Sequence, residues 1–148
     1  MPADIEAVRE ALLALHKSLI ELERGDRERT HGRRLSPGEL LQLLTGDPSL
    51  DWLHPFSRLI VAIDELLERE EPPSERDAAA VRLEVSLLLD GARYGAAVER
   101  APDVAFEHGR TIEALERLPN AAAEEHEALR ALRAGWSGPR RRRRPQRG

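Results

Sequence analysis

The chain contains five histidines and no cysteine, so histidine is the first residue type to consider for metal binding or proton transfer. A helical bundle that holds metal ions pairs a glutamate with a histidine three positions later, because both side chains then share one helix face. Only His31, after Glu28, and His54, after Asp51, have a carboxylate at that spacing. Both histidines lie at predicted helix ends rather than inside a core. The sequence therefore predicts no metal site and no cofactor.

The segment from Asp47 to Pro55 is the part of the chain richest in unusual residues, because it holds a tryptophan and a histidine between two prolines. These side chains could line a ligand-binding or catalytic pocket, since such sites combine an apolar cavity with a few polar groups. The candidate members of this pocket are Trp52, His54, Asp64, His16 and His31. We favour the alternative in which Trp52 plugs one end of a bundle and the prolines only fix helix starts.

His108 falls within an apolar stripe of one predicted helix, formed by Ala105, Ile112 and Leu115. It could be a buried general base, with a pKa set by desolvation. The stripe favours a histidine that makes one hydrogen bond across the bundle, and the same interpretation applies to His16. Phosphate-binding loops, nucleophile elbows and calcium loops are absent from the sequence. An enzyme is therefore unsupported, and the prediction leans towards a protein without catalytic activity.

One sequence pattern extends through this region. It runs through Leu15-His16, Glu28 to Gly32, Leu40-Leu41-Gln42-Leu43-Leu44, Asp47-Pro48, Trp52-Leu53-x-Pro55 and Leu59-Ile60-x-x-Ile63-Asp64. Over about residues 8–70 the chain thereby resembles an uncharacterised family of small bacterial all-helical proteins. The family more often has arginine at the position of His54. The resemblance implies a bacterial origin, and it brings no activity with it.

Helices must position these residues, because apolar side chains recur every three or four positions from Asp4 to about Arg133. The first helix is expected to stop at Gly32, and Ser36-Pro37-Gly38-Glu39 predicts a capping box that starts a short helix ending at Gly46. No segment alternates with a period of two, so no strand is predicted. The longest apolar seam belongs to the first helix and consists of Ile5, Val8, Leu12, Leu15, Leu19 and Leu22.

Further helices are predicted from His54-Pro55 to near Pro72, from Ser74 to about Ala101, from Pro102 to Leu118, and over residues 121–133. The helix after Ser74 would carry a small-residue surface, comprising Gly91, Ala92, Gly95 and Ala96. We expect an all-α fold, a bundle of four main helices with short connecting helices, over residues 1–134. Residues 135–148 are predicted to be a disordered, Arg-rich tail.

Charge is distributed unevenly along the chain. Residues 1–139 carry 17 basic and 27 acidic side chains, whereas the tail is strongly basic. The tail could contact phosphates in a sequence-independent manner, fold back on the acidic surface, or merely reflect GC-rich coding. The arginines that would contact nucleic acid are Arg140, Arg141, Arg142, Arg143 and Arg144.

The remaining features concern location and partners. The chain lacks cysteine, and it shows neither a leader-like N-terminus nor an apolar run approaching ~18 residues, so we expect a soluble cytoplasmic protein without membrane contact. The first functional hypothesis is protein–protein contact, as an adaptor or as a homodimer. The dimer would form through the first-helix seam or the Gly91–Ala96 surface. The alternatives are the Trp52 pocket and nucleic-acid association through the tail.

Overall fold

The computed structural model describes residues 2–120, which fold into six α-helices and one short 3₁₀ helix without any strand. The all-α prediction is thus confirmed for these residues. None of these helices has an apolar stretch long enough to cross a membrane. The predicted helix over residues 121–133, the tail and the boundary between them lie outside the described residues. The helices are α1 (Pro2–His31), α2 (Pro37–Gly46), α3 (His54–Glu68), α4 (Glu75–Leu88), α5 (Ala92–Arg100) and α6 (Pro102–Leu115), and the 3₁₀ helix spans Pro48–Leu53.

The seam of α1 forms the centre of the core, where α1 packs against α3 and α6. Its first five members, from Ile5 to Leu19, have no exposed surface, and Leu22 is half-buried against the core. The chain's own helices therefore cover this seam except at Leu22. The seam thus leaves little apolar surface for a second copy, and the predicted homodimer interface along it stays a prediction.

The helix ends follow the predicted local signals. At α2 the N–H of Glu39 donates to Ser36 Oγ at 3.1 Å, and the N–H of Ser36 donates to Glu39 Oε1 at 2.9 Å. Ser74 and Asp77 form the same reciprocal pair at the start of α4. After α1, Gly32 adopts a φ of 72°, a conformation that only glycine reaches without strain. The predicted capping box at Ser36, the helix start at Ser74 and the glycine stop are thus confirmed.

The single helix predicted after Ser74 is wrong, because the structure divides it into α4 and α5. The break falls at Asp90 and Gly91, two residues of low helix propensity, and Gly91 is extended with φ −67° and ψ 145°. Beyond the break Tyr94 and Ala97 point into the core. The predicted small-residue surface is left mostly exposed, and an added Cβ at Gly95 would meet nothing within 4 Å.

Candidate binding surface around the second helix

The structure separates the polar members of the predicted pocket. His54 Nε2 lies 2.8 Å from the carbonyl oxygen of Leu44, and the Asp64 carboxylate lies 3.2 Å from an Arg9 nitrogen. Ten residues of α3 separate His54 from Asp64, which corresponds to ~15 Å along the helix axis. These two side chains therefore do not share a site. His54 instead holds the last turn of α2, and Asp64 pairs α3 with α1.

Trp52 is half-buried and belongs to an aromatic cluster. Its ring meets Phe56 edge-on, with centroids 6.3 Å apart, and the Arg93 guanidinium lies 5.3 Å from the indole centroid. His16 stacks on Phe56 with its ring centroid 6.3 Å away, and burial lowers the pKa of His16, which favours the neutral ring. The structure thus brings His16 and Trp52 to the same phenylalanine. Because Trp52 packs against the core, this arrangement supports its interpretation as a plug.

His108 makes the predicted hydrogen bond across helices, since its Nδ1 lies 2.7 Å from the hydroxyl of Tyr94 in α5. The stripe proposed for α6 is partly wrong, however: Ala105 is exposed, and the buried side chains are Val104, Thr111, Ala114 and Leu115. Tyr94 packs between Phe56 and His108, and burial raises the pKa of its hydroxyl. The sequence did not indicate this role, although Tyr94 is the single tyrosine of the chain.

The second helix is an apolar element that the core covers only in part. Four of its ten residues are leucines, yet α2 contains no buried residue. Leu43 and Leu44 rest on the edge of the core, whereas Leu41 is 61% exposed. The 3₁₀ helix is the element that α2 contacts most. An apolar helix therefore lies at the periphery, with Leu41 open to solvent and its other three leucines half-buried.

An open groove of about 490 Å³ runs between α2 and the end of α1. Leu35, which is 7% exposed, and Leu43 give it an apolar floor. Among the predicted site residues only His31 lines this groove; Trp52, His54, Asp64 and His16 do not. The lining residues are His31, Arg33, Leu35, Glu39, Gln42, Leu43, Gly46 and Asp47.

Polar contacts, rather than burial, hold α2 at its N-terminal end. The backbone N–H of Leu35 donates to the Glu28 carboxylate at 2.8 Å. Arg33 donates from both terminal nitrogens to Glu39, at 3.1 and 2.8 Å. A two-point pair of this kind fixes orientation as well as charge. The start of α2 is thus tied to α1 and to the connecting loop by charged groups.

The C-terminal end of α2 is held in a similar manner. The carbonyl oxygen of Leu44 can only accept, so the hydrogen bond with His54 places a proton on Nε2. Beyond the helix, Asp47 accepts from Arg27 at 3.2 Å and from the backbone N–H of Ser49 at 2.9 Å. Ser49 also donates its hydroxyl to the same carboxylate. The helix is therefore anchored at both ends, while its sides bury little.

The carboxylates around the groove are all engaged within the chain. Hydrogen bonds from the Arg33 side chain and from the Ser36 backbone lower the pKa of Glu39 to about 2. The pKa of Asp47 is lowered mainly by the hydrogen bond from the Ser49 backbone N–H and further by the one from the Ser49 hydroxyl. Both groups are thus ionised at neutral pH, and each faces an arginine. Arg34 is exposed and makes no ion pair with the described residues, but it is not among the residues that line the groove.

This arrangement is suited to binding rather than to catalysis, because an apolar floor and an ionic rim are present without a nucleophile beside a base. Among residues 2–120, no three His, Asp or Glu side chains are grouped to hold a metal ion. The sequence offered one signal for this site: Leu40, Leu41, Leu43 and Leu44 spread over nearly half the circumference of a short helix.

The chain matches no protein-family model, no curated protein and no solved structure. The resemblance to a bacterial helical family therefore stays a prediction.

Proposed function

We propose that this protein acts by protein–protein contact, and that α2 with its groove binds an apolar segment of a second protein. The observation that carries the proposal is a helix with four leucines in ten residues and no buried residue. Single exposed leucines are common on protein surfaces and need no explanation. Here the exposed Leu41 adjoins three half-buried leucines of the same helix, Leu40, Leu43 and Leu44, and apolar surface that is contiguous in this way marks interaction sites.

Energetics favour a covered state of this helix. A helix as short as α2 is marginal by itself in water, so its stability depends on what packs against it. Burying a fully exposed leucine side chain against a partner stabilises the bound state by about 1.5–3 kcal/mol. The groove beside α2 adds an apolar floor at Leu35 and Leu43 on which one side chain of a partner can rest. Leu41 and this floor together provide two anchoring points for a partner segment.

The occupant is a second protein rather than a second copy of this chain. A two-fold homodimer sets the same patch against itself. In that arrangement the charged side chains of the groove, which are already paired within the chain as Arg33–Glu39 and Arg27–Asp47, would gain no complementary charge from the identical patch. A heterologous partner is not bound by this symmetry. The proposal therefore places the protein among adaptors.

Two finer expectations belong to this proposal. The four long helices, α1, α3, α4 and α6, would be the main helices of a bundle, and α2 and α5 would be its short connecting helices. This arrangement is supported by the packing of α1 against α3 and α6, and of α3 against α4. A cytoplasmic location would suit a cysteine-free adaptor.

The test uses a displayed library of random peptides selected on the full chain. Individual peptides are then titrated by fluorescence polarisation against the wild type, Leu41→Arg and the matched control Val61→Arg. Val61 lies on α3 and is 53% exposed, so both substitutions place a charge at a similarly exposed position. We expect Leu41→Arg to weaken binding about 30-fold, since it removes roughly 2 kcal/mol of apolar contact.

Val61→Arg should leave the affinity unchanged. Selected peptides that bind Leu41→Arg as tightly as the wild type would overturn the proposal. Light scattering tests whether a second copy of the chain occupies this surface instead. A wild-type dimer that becomes a monomer in Leu41→Arg would assign the surface to that second copy and overturn the proposal.

A further inference from the structure

We propose that the outer face of α6 binds the same face of a second copy of this chain, with Phe106 at the centre of a two-fold, antiparallel helix pair. This face shares no residue with α2, so the contact is independent of the one proposed there. Three side chains define it: Phe106, Asp103 and Arg110.

Phe106 is the most exposed large apolar side chain among residues 2–120, with 64% of its surface open to solvent. The buried side of α6 is formed by Val104, Thr111 and Leu115. Because each residue turns the helix by ~100°, Phe106 points almost directly away from that side. Within the described residues nothing covers the ring, and exposed aromatic side chains of this kind are enriched at protein interfaces.

The helix surface beside Phe106 is flat on one flank. Pro102 lies four positions before the ring and Gly109 three positions after it, so both are its neighbours on the helix surface, and both are exposed. An added Cβ at Gly109 would meet nothing within 4 Å. A second helix can therefore approach this flank closely and lay an aromatic ring against it.

The other flank carries two opposite charges. Asp103 and Arg110 are seven positions apart, which is two helical turns, so they project in nearly the same direction. Arg110 is 58% exposed, and its ion pair with Glu107 spans 3.8 Å, which is beyond hydrogen-bond distance. Asp103 is exposed and makes no hydrogen bond or ion pair with residues 2–120. Both groups are thus available to a partner.

A two-fold axis between the two charges makes this face complementary to itself. Helices related by such an axis run antiparallel, and each flank meets the same flank of the other copy. With the axis midway between Asp103 and Arg110, each Asp103 faces the Arg110 of the second copy. That midpoint lies half a residue from Phe106, or ~0.8 Å along the helix, so the two phenylalanine rings meet on the axis. One arrangement therefore satisfies the rings and both charges.

The charge pattern favours a second copy over other occupants. A partner segment with only acidic or only basic groups would match one of the two charges and repel the other, whereas an identical face matches both. A contact of one helix per copy falls below about 1,200 Å², the range of weak and transient interfaces. We therefore expect a dimer that forms between micromolar and millimolar concentrations.

Sedimentation equilibrium of the full chain over this concentration range tests the dimer. Phe106→Ser is compared with the matched control Val61→Ser, since Val61 on α3 is 53% exposed. Phe106→Ser should raise the dissociation constant about 100-fold, because two rings leave the interface, and Val61→Ser should leave it unchanged. Circular dichroism verifies that both variants are folded.

A charge exchange tests the antiparallel pairing. Asp103→Arg and Arg110→Asp each turn both attractive pairs into repulsive ones, so each variant alone should dimerise about 10-fold more weakly or less. Mixing the two variants should restore dimerisation, because a flank with two basic side chains then faces a flank with two acidic ones. A loss of monomer stability cannot produce such a rescue.

A wild-type chain that stays monomeric at millimolar concentration would overturn the inference. A dimer that survives Phe106→Ser places the contact elsewhere, and one that dissociates in Leu41→Arg but not in Phe106→Ser belongs to α2; either result contradicts it. A mixture of the two charge variants that remains monomeric would rule out the antiparallel pair.

Discussion

Arg33 and Glu39 form a two-point ion pair across the start of α2, with N···O distances of 3.1 and 2.8 Å. The same Glu39 carboxylate accepts the N–H of Ser36 as part of the capping box. One side chain therefore closes the helix start and neutralises an arginine of the groove wall. This double role explains why a surface carboxylate has so low a pKa.

The first prediction concerns the titration of Glu39. Its pKa is lowered from 4.5 to about 2 in the folded chain, so the stabilisation from its ionised form is present above pH 4.5 and is lost as the pH falls towards 2. Carboxyl-carbon NMR should find the midpoint near 2 in the wild type. In Arg33→Ala the midpoint should rise towards the ordinary glutamate value. A midpoint that Arg33→Ala leaves unchanged would contradict the pair in solution.

The second prediction compares the two capping serines. Losing an N-cap serine costs about 0.5–2 kcal/mol of helix stability. Ser74→Ala should lower global stability by this amount, because α4 is anchored in the core and the Asp77 of its cap is buried beside Arg69. Ser36→Ala should instead speed hydrogen exchange within α2 and leave the global melting temperature nearly unchanged, since α2 has no buried residue. Equal losses of melting temperature for the two variants would show that α2 is coupled to the core.

The helix boundaries differ in how far the sequence could predict them. The starts at Ser36 and Ser74 and the stop at Gly32 were predictable because a cap involves only neighbouring residues. The break at Asp90 was missed because the apolar spacing from Val85 to Gly95 suits a continuous helix. The exposure of α2 could not be read from its leucines, since burial depends on what other elements cover them.

The candidate site was predictable only in part, because its contacts join residues from different helices. The sequence predicted that His108 makes one hydrogen bond across the bundle. It did not identify the partner, because Tyr94 lies on another helix and no nearby residue points to the contact. His54 and Asp64 were grouped by nearness in sequence, whereas the helix that carries them holds them apart.

The third prediction concerns Trp52. Truncating a core aromatic side chain to alanine costs 3–5 kcal/mol, and the half-buried position of Trp52 places the expected loss for Trp52→Ala at about 3 kcal/mol. Trp52→Phe should recover part of this loss, because a smaller ring can still meet Phe56. Chemical denaturation measures both variants. A loss below about 1 kcal/mol for Trp52→Ala would rule out the plug.

The fourth prediction follows from His16. Burial holds its folded pKa below 6.5, so the unfolded chain binds the proton more readily, and stability should fall as the pH drops below about 6.5. His16→Phe keeps a ring on Phe56 and removes the titrating group. Denaturation curves between neutral and mildly acidic pH should therefore show a smaller loss of stability in this variant. An unchanged loss would assign the pH dependence to other groups.

The central claim is that α2 and its groove are the surface through which this protein binds a partner. Hydrogen exchange of the full chain, with and without a saturating selected peptide, tests it most directly. Binding at α2 predicts slower exchange over residues 35–47 and unchanged exchange over α5. Slower exchange confined to residues 91–96, with none at α2, would contradict the claim and place the partner on the small-residue surface instead.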